Sequence, residues 1–154
     1  MEGLIEVGAE VVLPVPPERA FALLSRWEEQ PRWMRDAADV RVMGERRAGT
    51  GVWLAVRTRL LGLPVFTEVL EVVVWEPPGR IVVAHRGFVR GTGEWDLVPV
   101  AEGTRFAWRE RLWMPVPVLG GFALRLYRPL MGRLMQRSLA GLRRLAEARA
   151  GRPS

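Results

Sequence analysis

The stretch 119-LGGFALRLYRPLMGRLMQRSLAGLRRLAEAR-149 decides the fold of this chain. Phe122, Leu126, Leu130, Leu134 and Ser138 follow one another at four-residue steps. Ala123, Tyr127, Met131, Met135, Leu139 and Leu142, then Leu145 and Ala146, widen the same stripe. This i, i+3, i+4 spacing predicts a long amphipathic helix. Arg125, Arg128, Arg133, Arg137, Arg143 and Arg144 fall largely off the stripe. Pro129 removes one hydrogen bond and crowds the preceding turn, so a kink or break is expected near Arg128, where a ligand door would hinge. A helix this apolar on one side needs a broad surface to cover it. What lies between the two is either a packed core or a pocket.

The surface comes from strands upstream. Ile5, Val7, Ala9, Val11 and Leu13 alternate with Glu6, Gly8, Glu10 and Val12, which predicts a strand with one buried face. Pro14, Pro16 and Pro17 end it. Pro17 and Glu18 suit the first turn of a short helix with Ala20, Phe21, Leu23 and Leu24 inside, and a second short helical piece spans about Trp27 to Met34. From Asp39 to Trp113 the pattern is all strand: Val40–Gly44, Val52–Leu60, Val65–Glu76, Arg80–Arg86, Gly91–Pro99 and Thr104–Trp113. Turns at Ala48–Gly51, Gly62–Pro64, Pro77–Gly79, Gly87 and Glu102–Gly103 separate them. Such short connections predict an antiparallel meander.

At 154 residues the chain is read as one domain over residues 1–148 with a flexible tail at 149–154. It has no cysteine, which excludes thiol catalysis and Cys-ligated metals, and its only histidine, His85, rules out a His-rich metal site. No cofactor and no metal are expected. The net charge of +6 is carried by arginine alone, without one lysine, and asparagine is absent too. We read this as coding bias of a GC-rich bacterial genome. The arginines are scattered and no nucleic-acid module accompanies them, so specific nucleic-acid binding is not expected, and the charge fits peripheral contact with an anionic membrane surface better. No signal peptide is visible at Met1–Leu4, and the longest uncharged run, Leu112–Leu124, is shorter than the ~20 residues of a spanning helix. A cytoplasmic protein is expected.

The order strand, two short helices, six-strand meander and long C-terminal helix resembles the START-like, or helix-grip, superfamily (SRPBCC). Within it the likeness is to the polyketide cyclase/dehydrase and lipid-transport group. Val15–Leu24 resembles that group's PxExVFxLL entry, and Glu28–Trp33 its ExxPxW. Trp75–Ile81 matches its PPxRI turn, and Gly93–Pro99 with Gly103–Trp108 its GxWxLxP…GTxxxW hairpin. Ser138–Glu147 is also typical. The resemblance covers nearly the whole chain and implies an α+β helix-grip fold: a curved antiparallel sheet of about seven strands, two short helices, and one long C-terminal helix packed on it over an apolar cavity. It implies a hydrophobic ligand such as a lipid, quinone or polyketide. It carries over no catalytic residue.

Strand alternation assigns faces. Thr104, Phe106, Trp108, Glu110 and Leu112 share the inward side of the last strand, because the other side holds Arg105, Arg109 and Arg111. By the same logic Gly91, Gly93, Trp95 and Leu97 face in. Glu110 is then a carboxylate on an apolar face, which is costly unless paired. It is either a ligand-contacting acid/base group or half of a structural ion pair. In Val52–Leu60 two sets compete: Val52, Leu54, Val56 and Thr58, or Trp53, Ala55, Arg57 and Arg59. An inward Arg57 would pair with Glu110 or an anionic headgroup. In the next strand neither set is clean.

The candidate catalytic residues are thus Glu110, His85 and Arg57. The candidate ligand-binding residues are Trp33, Trp53, Trp95, Trp108, Glu110, Phe122, Leu126 and Leu130. Leu60–Phe66 and Met114–Leu119 would cluster as an apolar rim, read as a cavity mouth, a homodimer interface or a membrane-touching edge. Three functions compete. The first is a binding or transport protein for a hydrophobic small molecule. The second is a cyclase/dehydratase working by general acid/base chemistry on Glu110 with His85 or Arg57. The third is a protein-interaction module with a filled core.

Overall fold

The computed structural model describes residues 3–60, 63–116 and 119–150. Strand β1 (Ile5–Leu13) buries Ile5, Val7 and Leu13 and turns Glu6 outward. Helix α1 (Pro17–Leu24) starts on Pro17, whose fixed φ and missing N–H suit a first turn, and buries Ala20, Phe21, Leu23 and Leu24. The second helical piece is a 3₁₀ turn, Trp27–Arg32, shorter than expected, with Pro31 inside it. The strands β2 (Ala37–Met43), β3 (Trp53–Leu60), β4 (Leu63–Glu76), β5 (Arg80–Arg86), β6 (Arg90–Val100) and β7 (Gly103–Trp113) follow. Helix α2 (Leu119–Ala150) closes the chain.

The seven strands form one antiparallel sheet in the order β1-β7-β6-β5-β4-β3-β2, so β2 to β7 make the expected meander and β1 pairs outside β7. This is the curved sheet and long helix of the helix-grip fold. Register shifts bend it. In β4, Val72 pairs with Val83 but Val74 with Val82, so Val73 is an extra residue. That bulge is why alternation in β4 gave no clean face: Leu70 and Val72 face inward before it, and Trp75 faces inward after it.

Helix α2 runs through Pro129 as a single element of 32 residues, without a break at that point. Its buried line is Leu124, Met131, Met135, Ser138, Leu139, Leu142 and Ala146. This is rotated from the Phe122–Leu126–Leu130 line: Phe122 is 62% exposed and Leu126 67%. The first half of the helix is apolar on nearly every side, so its sequence alone does not select the face. The second half packs against the N-terminal helices. Gly141 lies against the Trp33 backbone, where a Cβ would be 3.4 Å from the carbonyl. Arg149 donates to Glu29 at 3.0 Å, so the helix holds to Ala150, beyond the expected start of a tail. Residues 151–154 of that tail lie outside the described residues. Along β1, Arg128 Nε donates to the Glu6 carbonyl at 2.9 Å.

Ser138 ties the helix to the turn that precedes β2. Its hydroxyl accepts the Arg35 N–H at 2.8 Å and donates to the Leu134 carbonyl at 2.7 Å. Ser138→Ala leaves the Arg35 N–H without its partner in a part-buried place. Chemical denaturation should show a loss of about 1–2 kcal/mol.

Candidate functional site

Between the sheet and α2 lies a cavity of about 380 Å³. The sheet contributes Leu54, Val56, Leu70, Val83 and Leu112, and α2 contributes Leu124, Met131 and Met135. Trp27, Trp95 and Trp108 form an aromatic wall. Trp33 stands behind it, its ring centroid 5.9 Å from Trp95 and 6.2 Å from Trp108. Phe66, Phe88, Val89 and Met114 line the cavity as well, and Phe66 and Phe88 are also exposed, which marks the mouth. The unfilled volume stands against a core packed solid with side chains.

Set into this apolar lining is a polar cluster: Asp36, Thr58, Glu68, His85, Glu110 and Tyr127. Its centre is built by register. His85 pairs with Gly91, which pairs with Leu112; Val83 pairs with Gly93, which pairs with Glu110. His85 and Glu110 thus sit on strands separated by β6, roughly 10 Å apart at the backbone. They meet because the two intervening residues on that face are glycines. A Cβ on Gly93 would come within 2.8 Å of Glu110 Oε1 and 3.0 Å of Oε2, so no other residue leaves the carboxylate its place.

Glu110 is 6% exposed and fully engaged: Trp108 Nε1 donates to Oε1 at 2.8 Å, and His85 Nε2 lies 2.8 Å from Oε2. A carboxylate accepting from both sides puts a ring proton on Nε2. Burial opposes a charge on His85, but the Glu110 charge and hydrogen bond outweigh it, with Glu68 adding, and the pKa is raised. His85 Nδ1 lies 3.8 Å from Glu68 Oε1. It is buried without a hydrogen-bond partner among the described residues.

Glu68 accepts from the Thr58 hydroxyl at 3.2 Å. Burial pushes its pKa up to about 7; His85 offsets part of this, and the charges of Glu110 and Asp36 add to it. Burial likewise raises Asp36 to about 6, against its own backbone hydrogen bond and with help from Glu110. Tyr127 is raised to about 12 by burial and by the charges of Asp36 and Glu68. Near neutral pH the cluster therefore holds a bonded imidazole–carboxylate pair, two carboxyl groups close to titration, and a neutral phenol.

Of the residues expected at a site, Trp95, Trp108, Glu110 and His85 line the cavity together. Trp33 is one layer back, and Leu130 is half-buried outside the lining. Three expectations need correction. Arg57 and Trp53 point away from the cavity, because Leu54, Val56 and Thr58 are the inward set of β3. Arg57 therefore does not pair with Glu110. Phe122 and Leu126 are on the exposed side of α2. Asp36 and Glu68 were missed. Glu68 shares its face with Leu70 and Val72, a signal the bulge obscured; Asp36 sits between elements where no periodicity applies. Of the expected rim, the side chains of residues 60–65 and 117–118 lie outside what the structure describes. Phe66 is 40% exposed and Leu119 69%. Among the described residues no helix is long and apolar enough to cross a membrane.

Residues 5–147 match the sequence profile of the family described as polyketide cyclase / dehydrase and lipid transport. No curated protein matches the chain in sequence. Solved structures do match in fold. TTHA0849 from Thermus thermophilus is 25% identical with a TM-score of 0.77, the match covering 96% of this chain and all of that one. The Zhui aromatase/cyclase from Streptomyces sp. R1128 is 13% identical with a TM-score of 0.77, covering 96% of each chain. The di-domain ARO/CYC StfQ from the steffimycin biosynthetic pathway is 19% identical with a TM-score of 0.75; the match covers 97% of this chain and 52% of that one, so the chain spans about half its length.

The raised pKa values fix a pH dependence of stability. Asp36, Glu68 and His85 all hold protons more tightly folded than unfolded. Their contribution is complete below the ordinary carboxylate range and is lost as pH rises through about 6 for Asp36 and about 7 for Glu68. Unfolding free energy should fall between pH 5 and pH 8 by on the order of 2 kcal/mol. Glu68→Gln should flatten that slope. Urea melts across the range would contradict this if stability rose with pH.

Proposed function

The chain belongs to the polyketide cyclase / dehydrase and lipid transport family, and from that premise we propose that it binds a hydrophobic small molecule in the cavity between the sheet and α2. The single observation that carries this reading is the cavity itself: about 380 Å³, walled by Trp, Leu, Val and Met, with its few polar groups gathered in one cluster. Apolar walls supply affinity through burial of ligand surface, and a small convergent polar set fixes orientation. Flat indole faces suit a lipid, quinone or polyketide-like ring system. The exposed Phe66 and Phe88 at the mouth give such a ligand an apolar threshold to cross. Native mass spectrometry after gentle purification, with displacement of a fluorescent lipid, tests it. We expect a one-to-one complex and displacement by apolar competitors. A chain that carries nothing and displaces nothing overturns the reading.

One observation favours a second reading, cyclisation or dehydration by general acid/base chemistry. The His85–Glu110 pair lies in the cavity wall at 2.8 Å. The carboxylate holds the imidazole in one tautomer, so Nδ1 is left to exchange a proton with a substrate. In the dehydration of a β-hydroxy ketone the base removes the α-proton, hydroxide leaves as water with an added proton, and an enone remains. Incubation with a cavity-sized β-hydroxy ketone should give enone absorbance, and Glu110→Gln should slow it by about 10²-fold or more. Equal rates with and without protein would remove this reading and leave binding alone.

A further inference from the structure

We propose that Asp36, Glu68 and the unpartnered Nδ1 of His85 form a receptor for the protonated nitrogen of an otherwise apolar amine. This rests on the reading that the cavity holds an apolar ligand, and it names the polar end of that ligand.

The reason lies in which charges face the cavity. Asp36 precedes β2, Thr58 and Arg59 come from β3, Glu68 from β4, His85 from β5, Glu110 from β7 and Tyr127 from α2. Three are carboxyl groups and one is an imidazole. The imidazole is committed to Glu110 through Nε2. Arg59 lines the cavity but is itself exposed, and it makes no ion pair among the described residues. Asp36 and Glu68 therefore face an apolar space in which the nearest basic group is His85, its Nδ1 3.8 Å from Glu68 Oε1 and its Nε2 already committed to Glu110. Half-buried carboxylates set against apolar walls are only partly solvated, and a ligand that brings a cation offsets that cost.

His85 gives an independent sign that a ligand completes the site. Its ring is 7% exposed, lines the cavity, and has one nitrogen with no hydrogen-bond partner among the described residues. An ammonium between Nδ1 and Glu68 Oε1 would donate to both. On binding, His85 gives up its Nδ1 proton and becomes neutral, keeps Nε2–H on Glu110, and offers its Nδ1 lone pair. The protons that Glu68, Asp36 and His85 hold near neutral pH go to solvent as the ligand's charge takes their place. Trp27, Trp95, Trp108 and Tyr127 surround the cavity with π faces, which attract a cation and bury its alkyl chain. A fatty carboxylate would meet three like charges instead.

The test is a matched set of dodecylammonium, 1-dodecanol and dodecanoate, each below micelle formation, with tryptophan fluorescence as the readout. An alkylammonium, like a lysine side chain, keeps its charge to about pH 10. At pH 8 dodecylammonium should bind at least about 10-fold tighter than the alcohol, since one charge-assisted pair is worth roughly that factor. Its affinity should rise from pH 5 to pH 8, the reverse of simple screening, with release of protons in calorimetry in two buffers. Glu68→Gln and, separately, Asp36→Asn should each cut the ammonium-to-alcohol preference several-fold. Equal binding of alcohol and ammonium overturns the proposal and leaves the cavity reading standing. So does a preference for dodecanoate, which an inward-turned Arg59 would produce. If none of the three binds, both fall.

Discussion

A carboxylate taken out of water must find every hydrogen bond inside the protein, and much of this molecule is arranged around meeting that demand for Glu110. Its partners come from its own strand, Trp108, and from His85 two strands away. That second contact needs β5, β6 and β7 in one register and needs β6 to carry glycine at both intervening positions. A slip of one residue would turn Glu110 to solvent and bring Arg109 or Arg111 into the cavity. The same trough over β6 keeps the cavity open above it, since side chains there would fill it.

The helix that covers this sheet does two different things along its length. Beyond Ser138 it is anchored, by the Arg35 N–H, by contact with Trp33 and by Arg149 on Glu29. Before Met131 it touches the cavity through Leu124 and Tyr127 and leaves Leu119, Phe122 and Leu126 to water. The aromatic wall formed by Trp27, Trp33, Trp95 and Trp108, with Phe106 against Trp95, stiffens the anchored side. Adaptability is concentrated at the methionines and at the mouth, where unbranched side chains can repack around a guest.

The fold was legible because its signals are local. Alternation in β1, β6 and β7, prolines at the strand and helix starts, and the 3.6-residue pattern each point to one structure, and together to a helix gripped by a sheet. The inward turn of Glu110 was legible for the same reason, as an acid among Phe106, Trp108 and Leu112. Its partner was not. Whether His85 reaches Glu110 depends on pairing between strands far apart in sequence and on what stands between them. For Arg57 the sequence left two faces of β3 open, and the more apolar one, Val52, Leu54, Val56 and Thr58, is the one turned inward. Glu68 was hidden by the extra residue at Val73. Phe122 and Leu126 misled because a helix segment apolar all round has no preferred side until it meets its neighbours.

The sheet ends in two edges, β1 and β2, and each is interrupted. At β1, Arg128 of α2 occupies the Glu6 carbonyl, one of the acceptors an incoming strand would need. At β2, the register shifts between Ala37 and Asp39, and the Asp39–Arg41 ion pair crowds the outer side. Bulges and charges of this kind stop one sheet from continuing into the next. The exposed phenylalanines at the cavity mouth therefore sit on a sheet whose two edges both carry such interruptions.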